Sequence, residues 1–503
     1  MARRGNRTRP APPPLPVVTP APSGGAYRPL SDIDRDRIVE HAFEMLEHVG
    51  MADAPDRYAE LLIAAGGRWR DDGRVLLPRP MVEAALDRAP STVELPGFVD
   101  DQGVSIGGKG VHIGTGGAAV QILDAATGTY RDSVLGDLWT MMRVVDELPN
   151  IHYGLRPLVA RDIEDPLELD LNTAFAVTAA TAKPTGVSFT SADTVDPVVD
   201  LFDMMLGGTG RFAAQPFSMA VVVHVVPPLR FSPEGCEIME RAIERGMIIQ
   251  TCSAGQAGAT SPPSLAGSLA QGLAEILAGV VLADAIKPGH PCIHAFMPFV
   301  SDLRTGAMTG GSGEAAVVSA AAAQLLRDLD IPNAVSAGIT ESKTADAQAG
   351  YEKSYTVTLS AHAGADMVQL SVGMLGSIMV ASPEILVIDA DMCGAILRSV
   401  RGVEVDPSYL DLAADDILDD VSGEGHYLGS PQTLELMRSE YVYPDLGDRK
   451  SVAEWVSAGE PSIWDAAGQK VAEILAAGRP DHLDTTNEAA VRAAFPIHLE
   501  QHP

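Results

Sequence analysis

From about residue 150 onward, short apolar, β-branched runs alternate with stretches of helical period. The runs are His152 to Leu158, Thr185 to Thr190, Ser218 to His224, Met247 to Ser253, Cys292 to Met297, Asn333 to Gly338, Met367 to Ser371 and Ile385 to Ile388. Between most of them lie amphipathic or apolar helical patterns, among them Pro197 to Leu206, Glu234 to Arg245, Ser264 to Ala285, Gly313 to Leu329 and Gln348 to His362. Strands alternating with helices predict parallel βαβ units. About eight units over about 250 residues is the measure of a (β/α)8 barrel. A doubly wound sheet is the other option. It calls for a glycine-rich phosphate turn after the first strand, whereas Gly207, Gly208 and Gly210 follow a helix.

Outside this region the pattern changes. Residues 1–28 are Pro-rich with a few arginines, which predicts a disordered tail. Residues 29–149 read as an N-terminal extension, with helices over Asp32 to Gly50, Asp56 to Ala65 and Pro80 to Arg88, then strands and turns over Gly103 to Tyr130. Residues 150–404 are the expected barrel, and residues 405–503 a C-terminal helical cap. The fold class is thus α/β, a TIM barrel with an extension at each end.

Composition narrows the function. The 503 residues are 46% hydrophobic and 20% charged, which is globular. The net charge of −31 opposes binding to nucleic acid, whose phosphates attract basic faces. The longest apolar stretch, Ile276 to Ala285, is cut by Gly279 and Asp284, so no membrane span of about 20 residues is expected. The basic N-terminus has no apolar core of a secretory signal. The scattered Cys236, Cys252, Cys292 and Cys393 form no disulfide framework, which suits a reducing, cytoplasmic setting.

In a barrel the chemistry sits at the C-terminal ends of the strands. The expected strand ends offer Phe189, His224, Phe296 and the polar run Ser336 to Lys343, with Asp389 after the last run. The densest cluster is Gly338, Thr340, Glu341, Ser342 and Lys343, followed by Asp346, Gln348, Tyr351, Glu352 and Lys353. So many donors and acceptors on a strand-to-helix loop suit a ligand site; the plainer alternative is a loop that caps the next helix. Gln256 lies on a second, glycine-rich loop, Gly255 to Thr260. His290, Cys292 and His294 would share one face of a strand and could hold zinc, but structural use is the preferred reading, so no metal is assigned. A serine hydrolase elbow is absent.

Five segments together carry a resemblance: HIGTGG (His112 to Gly117), AGQAGATSP (Ala254 to Pro262), AGITESK (Ala337 to Lys343), DAQAGYEK (Asp346 to Lys353) and GHYLGSPQT (Gly425 to Thr433). In these, and over residues 30 to 475, the chain resembles the trimethylamine methyltransferase family. The resemblance implies a TIM barrel and transfer of a methyl group from a methylated amine to the Co(I) of a corrinoid (cobalamin) on a separate small protein, as in methanogenesis-type one-carbon metabolism. No cofactor is then bound tightly to this chain, and a homo-oligomer is expected. Archaeal members acting on trimethylamine carry pyrrolysine in the region before Gly338. Here only standard residues stand there, as in members acting on quaternary amines such as glycine betaine.

Chemistry moves the expected substrate the same way. A quaternary ammonium leaves as a neutral amine and needs no proton donor, so positioning and charge complementarity suffice. The residues expected to carry this are Glu341 and Tyr351 as catalytic groups. Phe189, His224, Gln256, Phe296, Gly338, Thr340, Ser342, Lys343 and Asp389 are expected to bind substrate, with aromatic faces or carboxylates for the cation and Lys343 or loop N–H groups for a carboxylate. Trimethylamine as substrate, or a barrel that binds methylamines without turnover, are the alternatives.

Overall fold

The computed structural model describes residues 21–108, 110–423 and 425–500. Its centre is a ring of short parallel strands. They are β1 His112–Ile113, β2 Gly154–Leu155, β3 Thr185–Val187, β4 Ser218–Val222, β5 Ile249–Ser253, β6 Cys292–Phe296, β7 Asn333–Ser336 and β8 Met367–Gln369. Successive strands pair in parallel from β2 to β8, and β8 pairs with β1. A parallel bridge between Gly114 and Tyr153 joins β1 to β2 and closes the ring. One long helix follows each strand: α1 Leu135–Glu147, α2 Pro166–Ala180, α3 Val195–Met205, α4 Pro233–Glu244, α5 Leu265–Ile286, α6 Gly313–Asp328, α7 Ala347–Ala363 and α8 Pro383–Arg401. This is the expected (β/α)8 barrel.

The eighth predicted strand is placed differently. Ile385 to Ile388 lies in the first turns of α8, where Ser382 accepts a hydrogen bond from the Ile385 N–H and Pro383 opens the helix. A four-residue apolar run has no readable period, and the Ser-Pro-Glu start signal decides it. The missing strand is β1. It spans two residues within a glycine-rich segment, too short for alternation to show. The barrel therefore begins at His112, inside the segment read from sequence as the extension, and α1 belongs to it as well.

Side-chain alternation sorts the strands into two faces. Tyr153, Leu155, Met219, Cys252, Ile293, Ala295, Met297, Ala334 and Met367 share one cluster inside the ring. The hairpin Thr92–Leu95/Val104–Gly107 contributes Val93, Leu95, Val104 and Ile106 to that cluster. Next to it, the Phe98 N–H donates to the Ala182 carbonyl just before β3, and the side-chain amide of Gln215, just before β4, donates to the Phe98 carbonyl at 3.0 Å, so the hairpin plugs the N-terminal end. The opposite, C-terminal end is left as the mouth.

Helix α5 is long and apolar enough to cross a membrane, but it is a core helix. The barrel lies on one side and the N-terminal helices Asp32–Glu44, Asp56–Ala64 and Arg79–Arg88 on the other, which is why it is apolar all round. The C-terminal helices pack on the outside, Ile463–Ala476 against α1 and α8, and Thr485–Ala494 against α3.

Candidate active site

The mouth is walled by loops. The hairpin Gln121–Asp124/Thr129–Asp132 after β1 pairs with Val380–Ala381 after β8, and Gln256–Ala257 after β5 pairs with Phe299–Val300 after β6. Below them the wall is largely apolar: Leu155, Val221, Cys252, Met297, Ile339 and Leu370. Two glutamines interrupt it. The Gln250 amide nitrogen donates to the Met367 sulfur at 3.9 Å and that of Gln369 to the Met297 sulfur at 3.8 Å. Their buried carbonyl oxygens, and the buried Tyr153 hydroxyl, have no partner.

The loop from Gly338 to Lys353 does lie at the mouth, between β7 and α7, and its side chains hold one another. Gly338 has φ +76°, and a Cβ there would come within 2.5 Å of the Ser371 backbone. Its N–H donates to Thr356 at 3.0 Å and its carbonyl accepts from Lys353 Nζ at 2.8 Å. Lys353 in turn pairs with buried Asp389 on α8 at 3.0 Å, and Asp389 accepts the Gly373 N–H at 2.8 Å. Burial raises the Asp389 pKa, with Lys353 opposing it.

Thr340 donates to Glu352 at 2.5 Å, and Ser342 to Asp346 at 2.8 Å. Glu341 accepts the Gly310 N–H at 2.6 Å and the Gly311 N–H at 3.2 and 3.3 Å, so it clamps the loop after β6 to the loop after β7. Exposed Lys343 folds back on the Glu341 carbonyl at 2.5 Å. Tyr351 is exposed at the start of α7.

The other expected site residues are dispersed. Phe189, half-buried, packs into the outer core. His224 and Phe296 are buried under α5, where Gly279 and Gly272 make room for their rings, and His224 donates to the Glu275 carbonyl at 2.9 Å. Neither faces the interior. Gln256 stays at the rim and ties the two adjoining loops through Ser301 at 2.7 Å. His290 bonds the Met247 carbonyl at 2.8 Å, and His294 bonds Thr251 at 2.9 Å. Burial pushes the Cys292 thiol up to about 12. Among the described residues no group of His, Cys, Asp or Glu is arranged to hold a metal.

Sequence reading passed over Arg156, which follows Leu155 at the end of β2 and continues the ladder by donating to Gly186 O at 3.2 Å. Its buried Nε has no partner, and no ion pair reaches its guanidinium among the described residues. The signal was present: a lone charge inside the apolar run Ile151 to Ala160.

The family model of trimethylamine methyltransferase matches residues 2–498. The chain belongs to the trimethylamine methyltransferase family. It is 28% identical over 470 residues to the glycine betaine methyltransferase of Desulfitobacterium hafniense, covering 93% of this chain and 96% of that one. It is 31% identical over 406 residues to a trimethylamine methyltransferase of Methanosarcina mazei, covering 80% and 81%. Among solved structures, the monomethylamine methyltransferase of Methanosarcina barkeri aligns at a TM-score of 0.48 and 14% identity, over 88% of this chain and 94% of that one. By its family the chain is a methyltransferase.

Proposed function

We propose that the protein moves a methyl group from a quaternary amine of the glycine betaine kind to the Co(I) of a corrinoid carried by a separate small protein. The observation that carries the choice of substrate is the state of the acids at the mouth. Glu341 is engaged by backbone N–H groups, Glu352 by Thr340 and Gln348, and Asp389 by Lys353. Carboxylates held this way bind loops rather than deliver protons. A quaternary amine asks for no proton: the N–CH3 bond breaks as the methyl carbon bonds to the acceptor, the electron pair stays on nitrogen, and a neutral tertiary amine leaves. Trimethylamine would have to be protonated or otherwise activated before it could leave.

The corrinoid supplies the nucleophile in this reading. The chain's own part is to hold the ammonium in line and keep water away. Methionine sulfurs and the unpaired amide oxygens of Gln250 and Gln369 offer a weakly negative, poorly hydrated lining for N-methyl groups. The similarity to a glycine betaine methyltransferase over nearly both chains supports the same reading. A rim of exposed apolar side chains, Val223, Val226, Leu303, Tyr351 and Met379, suits a protein-borne acceptor.

The test is a methyl-transfer panel with purified enzyme and a small corrinoid protein reduced to Co(I). Glycine betaine, carnitine, proline betaine, choline and trimethylamine are the donors. Transfer from at least one quaternary donor is expected. No transfer, or transfer from trimethylamine alone, would overturn the proposal.

A further inference from the structure

Three buried polar atoms without partners stand inside the barrel: the Tyr153 hydroxyl and the amide oxygens of Gln250 and Gln369. Nearly all buried polar groups are hydrogen-bonded, and one left unpaired costs free energy unless something from outside completes it. Strand register turns these three inward. Residues paired across a parallel ladder share a face. Gln250 pairs with Val221 and Ile293, Gln369 with Ser336, and Tyr153 bridges Gly114. Arg156, one step past inward Leu155, is turned to the outer face with Val187 and Ala220, against Asp170 on α2. The Tyr153 ring crosses in front of Gly114, where an added Cβ would collide with Cε2 and Cζ, the carbon that carries the hydroxyl. Val221 is half-buried although its strand neighbours Ala220 and Val222 are buried, so the mouth reaches down to the partner of Gln250. No Asp, Glu, Lys or Arg occurs in any of the eight strands. His112 faces inward beside Met367, and burial pushes its pKa down to about 4, so it is neutral. Burial raises the Tyr153 phenol above its usual range, so it keeps its proton and can donate it to a hydrogen bond.

We infer that Tyr153 is the specificity-determining residue for a carboxylate on the substrate, and that the uncharged interior admits a zwitterion in preference to an ion of either sign. This rests on the proposed quaternary-amine chemistry and names the substrate class for it, a betaine. A lone ammonium or a lone carboxylate would enter this interior without a counter-charge, which a poorly hydrated site penalises. A betaine brings its own counter-charge and asks only for neutral dipoles at each end. The unpaired atoms supply them. The Tyr153 O–H can donate to the carboxylate, a charge-assisted bond, and the amide oxygens of Gln250 and Gln369 can face the polarised methyl groups of the ammonium. A site built around an unpaired donor discriminates against a ligand that cannot pair it. Lys343, the cation expected from sequence to meet the carboxylate, is exposed and folded back on its own loop. With the carboxylate at Tyr153 the ammonium lies on the mouth side, so that an N-methyl group faces the acceptor.

Calorimetric binding to the full chain tests this without any corrinoid protein. Three probes separate the two charges: glycine betaine carries both, tetramethylammonium has the cation alone, and tert-butylacetate has the shape of glycine betaine and the carboxylate alone. Wild type should bind glycine betaine at least tenfold more tightly than either ion. Tyr153→Phe removes one hydroxyl and keeps the ring. It should weaken glycine betaine by tenfold or more and leave tetramethylammonium within twofold, whereas a merely structural role would move both alike. Because the hydroxyl has no partner in the chain to lose, the variant should melt no lower than wild type. Glycine betaine binding within twofold of wild type in Tyr153→Phe would overturn the inference, as would equal weakening of both ligands. A lower melting temperature would overturn it too, since the hydroxyl would then have its partner inside the chain. Equal wild-type affinity for glycine betaine and either ion, or no binding of glycine betaine, does the same, and that comparison needs no variant. The outcomes stay separable. Tyr153-dependent binding with no methyl transfer in the donor panel sinks the proposed reaction and keeps the carboxylate site. Methyl transfer with binding indifferent to Tyr153 does the reverse.

Discussion

At Glu341 both carboxylate oxygens are engaged by the N–H groups of Gly310 and Gly311, and a Cβ on Gly311 would come within 2.6 Å of the Glu352 carboxyl. The residue read from sequence as a catalytic group thus acts, in this geometry, as a clamp between two rim loops. Hydrogen bonds to a charged group are each worth about 1.5–3 kcal/mol. Glu341→Ala should lower unfolding stability by about 2 kcal/mol, and Glu341→Gln by less, since one acceptor oxygen remains. Denaturant titration measures both; an alanine variant as stable as wild type would remove the clamp. The polar density of the segment Gly338 to Lys353 was legible because hydrogen-bonding residues at a strand end are conspicuous. Their roles were not, because composition cannot tell a side chain turned to a ligand from one turned to its neighbours.

Helix α5 shows the same limit at the level of an element. Its apolar character was plain, but not that it would cover a buried polar layer. Glu275 takes hydrogen bonds from Ser253 at 2.6 Å and Gln271 at 3.0 Å, and His224 and His294 lie beneath it. The alternation of β6 turned His294 outward into that layer, so it faces Thr251 and neighbours His224. Burial pushes its pKa down from 6.5 to about 3, with His224 adding to the effect. The folded state therefore favours neutral imidazole. The resulting stability is full above pH 6.5 and is lost as pH falls toward 3. Other groups titrate in this range, Asp366 in the opposite sense because burial raises its carboxyl to about 7, so the clean measurement is a difference. The stability gap between wild type and His294→Gln should shrink by about 2 kcal/mol between about pH 7 and about pH 5. A gap that does not move with pH would mean that the imidazole is not held neutral.

For the molecule as a whole, the barrel separates a stability end from a working end. The hairpin with Val93, Leu95, Val104 and Ile106 closes the N-terminal side with apolar contacts. The C-terminal rim instead exposes apolar side chains from segments after four different strands: Val223 and Val226, Leu303, Tyr351 and Met379. Leu303 is 70% exposed and Val223 53%, which gains nothing for an isolated barrel. The rim surrounds the mouth, so whatever covers it would also close the reaction off from water. A partner delivering the methyl acceptor would do both. Burying one such side chain contributes about 1.5–3 kcal/mol, and 1.4 kcal/mol is about tenfold in affinity. Leu303→Asp and Met379→Asp should therefore each raise the KM for the corrinoid protein by about tenfold or more. Because both side chains sit on the rim rather than the interior wall, glycine betaine binding measured by calorimetry should stay within twofold. If the charged substitutions leave KM for the corrinoid protein unchanged, the acceptor reaches the barrel by another face. If they weaken substrate binding instead, the rim belongs to the small-molecule pocket.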